Sequence, residues 1–83
     1  MIRTNILLID NDPGLLGLLT LELEQDGYQV QSYASAEEAL AARLEPPDLA
    51  VLDYQLSGID GLILLEWLRQ HYPSLPALMM ALW

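Results

Sequence analysis

The sequence predicts an α/β domain on a parallel sheet, with its elements in the order βαβαβαβ. Three observations predict it. Aliphatic runs without polar alternation occur at residues 5–9 and 49–52, as expected of strands covered on both faces. Each run ends on an acid, Asp10 or Asp53. Between and after them the apolar spacing changes to a helical period. Strands that alternate with helices are joined by right-handed crossovers and lie parallel.

Taken in order, the first strand is Asn5–Ile9. Asp12-Pro13 then reads as a helix N-cap followed by a first-turn proline. Leu15, Leu18, Leu19 and Leu23 follow on one arc turned to the sheet, with Leu21 opposite, and Asp26-Gly27 stops the helix. Residues 28–33 alternate Tyr28, Val30 and Ser32 against Gln29, Gln31 and Tyr33, the pattern of a more exposed edge strand. Ser35 with Glu38 three positions on is a capping box. The second helix carries Ala36, Ala39, Leu40 and Leu44 and is closed by Pro46-Pro47. After the strand 49–52 comes a loop, and Asp60 caps a third helix that runs to about Tyr72. There Leu62, Leu65 and Leu68 face the sheet and Ile63 and Trp67 form an outward apolar pair. Pro76 opens a fourth strand, 77–82. No linker or repeat interrupts the chain, so residues 1–83 read as one domain.

Composition narrows the function. The 83 residues carry 12 Asp and Glu against 3 Lys and Arg, a net charge of -9. The three arginines, Arg3, Arg43 and Arg69, are scattered and lysine is absent, so no basic patch is available for phosphates, and nucleic acid is excluded as a partner of this domain. Anionic membrane surfaces are disfavoured for the same reason. The longest stretch without charged residues, 70–83, is too short and too interrupted by prolines to span a bilayer, and no secretory signal stands at the N-terminus. A cytoplasmic protein is expected. With no cysteine there is neither disulfide nor thiolate chemistry. At 53% hydrophobic residues the chain is too apolar for disorder. A domain of this size nevertheless buries only about 60–65% of its unfolded surface.

In parallel α/β sheets ligands bind beyond the carboxyl ends of the strands. Asp10, Asn11, Asp12 and Asp53 lie at two such ends. If the first and third strands are neighbours, Asp10 and Asp53 converge, and carboxylates that close either raise a pKa or recruit a cation. A hard divalent ion such as Mg²⁺ suits that donor set. Asp12 is accounted for by capping, whereas Asp10 and Asp53 are not.

The run Ile6-Leu7-Leu8-Ile9-Asp10-Asn11-Asp12-Pro13, together with Leu52-Asp53-Tyr54-Gln55-Leu56-Ser57-Gly58-Ile59-Asp60-Gly61 and Pro76-Ala77-Leu78-Met79-Met80, resembles the receiver domain of two-component response regulators. The resemblance covers the whole chain. It implies a flavodoxin-like fold with strand order 2-1-3-4, lacking the family's last helix-strand-helix. It implies that Asp53 stands at the phosphoacceptor position, and that Asp10, Asn11, Asp53 and the main-chain carbonyl of Gln55 hold a weak Mg²⁺ site. The implied partner is a sensor histidine kinase or another signalling protein, and the implied role is a signalling module of a phosphorelay, not an enzyme. The departures bear on chemistry. Asn11 replaces the family's second acid, Ala81 replaces a hydroxyl residue, Ser57 replaces a proline, and the family's lysine has no counterpart. Phosphoryl transfer relies on positioned charge, so phosphorylation of Asp53 is expected to be impaired.

Two other readings stand beside this one. Asp10-Asn11-Asp12 also resembles the D-x-D of haloacid-dehalogenase-type phosphotransferases, with Asp10 as nucleophile and Asp12 as acid/base. The chain also reads as a fragment of a longer receiver without function of its own. An apolar edge strand at 77–82, with Leu21, Ile63, Trp67 and Trp83 as surplus apolar side chains, points to a homo-oligomer, in the simplest case a dimer.

Overall fold

In a computed structural model of the chain, residues 3–53 and 61–80 are described. They form β1 (Asn5–Ile9), α1 (Pro13–Gln25), β2 (Gln29–Tyr33), α2 (Ala36–Ala41), β3 (Leu49–Asp53), α3 (Gly61–His71) and β4 (Ala77–Met80). The four strands make one parallel sheet in the order β2-β1-β3-β4. The two runs without polar alternation are thus the central pair, and the two edges are β2 and β4.

Register divides the side chains between two faces. Leu7 and Ile9 of β1 are level with Ala50 and Leu52 of β3, and all four are buried in one cluster with Ala36 and Ala39 of α2 and Leu64 and Leu68 of α3. Ile6 and Leu8 point the other way, level with Leu49 and Val51, toward the side where α1 crosses β1 and β2. Both are buried, but no residue of α1 is.

The chain ends of α1 are built as the sequence indicates. Asp12, in extended conformation, accepts from the main-chain N–H groups of Gly14 and Leu15, with Pro13 in the first turn. At the other end Gly27 has φ 95°, Gly27 N–H donates to Glu24 and Tyr28 N–H donates to Leu23. This double closure needs a left-handed residue, which glycine adopts without a Cβ penalty.

Three expectations about helices are corrected. On α1, Leu18 is 55% exposed and Leu16, not Leu18, is among the half-buried residues turned inward with Leu15, Leu19 and Leu23. On α3, Leu62 is 72% exposed and Leu64 is fully buried, while Leu65 and Leu68 face the core as expected, so the inward stripe is turned about 80° from the expected one. Trp67 is not outward: it packs against the core cluster, stacks on His71 at 3.9 Å between ring centroids, and meets Tyr72 edge-on. Both helices carry apolar residues nearly all round, so spacing alone leaves more than one arc open.

The third correction is that α2 stops at Ala41, well before the prolines. Its capping box forms, with Glu38 N–H donating to Ser35 Oγ, although the Glu38 carboxylate reaches back to the N–H of Ala34. What ends it early is a polar network under the sheet. The Gln31 side chain donates to the Glu45 carbonyl at 2.9 Å and accepts from the Glu45 N–H at 3.0 Å, as a neighbouring strand would. Gln31 also donates to Asn5 Oδ1, and Asn5 and Asp48 exchange two hydrogen bonds of 2.7 Å. These bonds fix the loop 42–48 in an extended path that delivers β3 beside β1.

Candidate functional site

The site is at the carboxyl ends of β1 and β3. Ile9 is level with Leu52, so Asp10 and Asp53 follow on the next rung, on the face that α1 partly covers. The Asp10 N–H remains tied to the sheet through the Tyr33 carbonyl at 3.2 Å. Its side chain is 2% exposed, a depth at which a carboxylate is costly without partners. One partner is the Asp12 N–H, which donates to Asp10 Oδ1 at 2.8 Å. Another is Asp53, whose side chain shares a hydrogen bond with that of Asp10.

Burial pushes the Asp10 carboxyl above the usual carboxylate range. The Asp12 N–H works against that shift, and the charge of Asp53, the hydrogen bond shared with it, and the charge of Asp12 add to it. Carboxylates this close repel, and a cation between them relieves the repulsion. The donors here are hard oxygens on a half-open edge, with Asp53 half-buried and Asn11 exposed, and they fit a magnesium-like ion that keeps part of its water shell. Asp10 and Asp53 would hold such an ion. Among the described residues no three acidic or histidine side chains converge, so the fourth expected donor, the Gln55 carbonyl, matters to the count. Gln55, Tyr54, Ser57, Asp60 and Ala81 lie outside the described residues.

Of the residues picked out in the sequence, Asp10 and Asp53 are therefore brought together and Asn11 stands beside them at the surface. Asp12 is turned to α1: its Oδ1 accepts two main-chain N–H groups at 3.0 and 3.2 Å, the capping role expected of it. Spacing alone did not reveal the bond from Asp12 N–H to Asp10. An acid two positions before a helix cap is the pattern that signals it. No helix among the described residues is long and apolar enough to cross a membrane.

A sequence model of the response regulator receiver domain matches residues 6–83. The alkaline phosphatase synthesis transcriptional regulatory protein PhoP of Bacillus subtilis is 41% identical over 76 residues, which is 90% of this chain and 32% of that protein. The transcriptional regulatory protein GlrR of Escherichia coli is 35% identical over 77 residues, 17% of its length. The chain thus spans a third or less of these curated relatives. Among solved structures, the non-phosphorylated HemR receiver domain of Leptospira biflexa superposes with a TM-score of 0.84 at 36% identity, covering 93% of this chain and 63% of that one. The response regulator TrrA of Thermotoga maritima, solved with Mg²⁺ and BeF, superposes with a TM-score of 0.79 at 30% identity, covering 92% and 66%. The β2-β1-β3-β4 sheet, the acids at its central strand ends and these matches agree, and the chain belongs to the response regulator receiver domain family.

Proposed function

We propose that this chain is a receiver-type signalling module rather than an enzyme, with Asp53 as its phosphoacceptor and Asp10, Asn11, Asp53 and the Gln55 carbonyl as its Mg²⁺ ligands. The observation that carries the reading is the buried Asp10 carboxyl hydrogen-bonded to Asp53 at the ends of the two central strands. The donor is a phosphohistidine of a cytoplasmic kinase or another signalling protein. An Asp53 oxygen attacks phosphorus, the P–O bond forms as the P–N bond breaks, and the leaving imidazole takes a proton from water. When bound, the metal ion neutralises charge on the transferring group. Asp10 anchors the site from the sheet side, and the Asp10–Asp53 spacing keeps both carboxylates on one side of the incoming phosphorus.

The chemistry of the 83-residue chain is weak in this reading. Asn11 offers a carbonyl oxygen where relatives of the family place a second carboxylate, and Ala81 offers no hydroxyl. Each loss takes away charge or a donor aimed at the phosphoryl group. Incubation with a small phosphodonor and Mg²⁺, followed by intact-mass measurement, should give little stable phospho-Asp53. A near-stoichiometric gain of one phosphoryl group, lost in Asp53→Asn, would overturn the weak-chemistry reading. Mg²⁺ titration followed by amide NMR shifts should move Asp10, Asn11 and Asp53 selectively at millimolar metal.

Self-association is part of the same proposal. The β4 edge with Leu78 58% exposed, and Leu18 and Leu21 exposed on α1, support pairing of two copies. Sedimentation equilibrium at micromolar concentration tests it, and a folded 9.3 kDa species alone would end it.

A further inference from the structure

We propose that Asp12 is a positioning residue: it holds the Asp10 carboxylate toward Asp53 by fixing the start of α1, and does so through its capping oxygen rather than its charge. Three bonds on the helix side immobilise Asp12. Its Oδ1 accepts from Gly14 and Leu15, and its carbonyl accepts from Leu16 at 2.8 Å. Pro13 adds a rigid φ directly after it. With the residue locked on that side, its own N–H has one direction, and that direction is Asp10 Oδ1 at 2.8 Å. Asp10 is thereby held twice, its main chain by the sheet through Tyr33 and its side chain by the helix through Asp12. With one oxygen committed, the carboxylate presents a single orientation to Asp53.

The inference rests on the proposed Mg²⁺ site only for its effect on binding, not for its geometry. Partners that orient a ligand without touching the metal typically change metal affinity when removed. Here the hydrogen-bonding N–H is main chain and survives any substitution, so a partial loss is expected, about fivefold.

The test uses the 83-residue chain with Asp12→Ala, which removes the capping oxygen, and Asp12→Asn, which keeps an oxygen of equal capping strength and removes the charge. Three-bond NMR couplings of the metal-free protein report the Asp10 χ1 angle, and MgCl2 alone is the titrant. One Asp10 rotamer is expected in the parent and in Asp12→Asn, averaged couplings in Asp12→Ala, and Mg²⁺ binding about fivefold weaker in Asp12→Ala only. Should Asp12→Ala fail to fold, Asp12→Gly, which costs a helix start only a few tenths of a kcal/mol relative to a good cap, takes its place with the same expectation. Unchanged Asp10 couplings in the variant without the oxygen would overturn the inference, and so would averaging in Asp12→Asn equal to that in Asp12→Ala. If Asp12→Ala loses the rotamer while the parent itself shows no Mg²⁺ response, the metal reading falls and the positioning role stands.

Discussion

The two faces of the sheet are completed to different degrees. On the side of α2 and α3, Leu7, Ile9, Ala50 and Leu52 are all fully buried, each helix contributing two buried residues of its own. On the side of α1, Ile6 and Leu8 are buried, but Leu49 and Val51 are half-buried and Leu78 is largely exposed. The contrast is local within β3, where Val51, paired with Leu78, is half-buried and Leu52, paired with Met79, is fully buried, while at the β4 edge Leu78 and Met79 are both exposed. Among the described residues, a single helix of 13 residues packs on this face, over β1 and β2. Apolar content alone did not decide which residues lost solvent. The number of helices laid over each strand pair did. Asp10 and Asp53 belong to the open side, where Asp10 is buried and Asp53 stays half-exposed.

The sharpest break of this comparison is a pair of truncations. Leu64→Ala should cost about 2–5 kcal/mol, the usual range for a leucine deleted from a packed core and a large share of a small domain's stability. Leu78→Ala on the open side should stay within about 0.5 kcal/mol. Urea unfolding at matched protein concentration measures both, and equal losses would mean that the faces are energetically alike.

A smaller effect, of opposite sign, is expected at Asp10. Its folded-state pKa is raised, so its contribution to stability is complete below the unfolded value of 3.8 and is lost as pH rises through the folded value. At neutral pH the ionised group therefore destabilises the metal-free fold. Asp10→Asn should raise Tm at pH 7. The gain should shrink toward pH 4 and also in millimolar Mg²⁺. Thermal melts across pH check the sign.

The most local effect concerns the loop beside the closed face. Gln31→Ala removes three hydrogen bonds, two of them exposed to water, and should cost about 1 kcal/mol in all. Amide exchange of Glu45 should quicken while that of Leu7 and Leu52 stays slow. Uniform acceleration across the sheet would show that the network supports the whole fold and not only the loop.

The strands, their order in the chain and the caps were readable in the sequence because each rests on a local signal. An unbroken aliphatic run marks β1 and β3, Asp12-Pro13 marks the start of α1, and Asp26-Gly27 marks its end. The acids were readable because they stand directly after strands that a parallel sheet must place side by side. The helix faces were not. Leu62, Ile63, Leu64 and Leu65 are consecutive, so several arcs bury equal apolar area until the sheet selects one. The early end of α2 was hidden because Gln31 and Glu45, which set it, are 14 positions apart. The hold of Asp12 on Asp10 leaves no mark in the identity of residue 12, because it runs through a main-chain N–H; its mark is the acid two positions before the cap.

The crossover topology also sets an order of events in synthesis. β1 is central in the sheet, yet one of its two neighbours is β3, and Asn5 and Asp48, which pair at their starts, are 43 positions apart. A ribosome adds about 5–20 residues per second, so the aliphatic run Asn5–Ile9 waits about 2–9 s for that neighbour to be made. During that interval β2 can shield only one edge of it. The segment most deeply buried at the end is thus the one that spends longest exposed at the beginning, which makes the first strand the natural handhold for a chaperone and the first place where a stalled chain would aggregate.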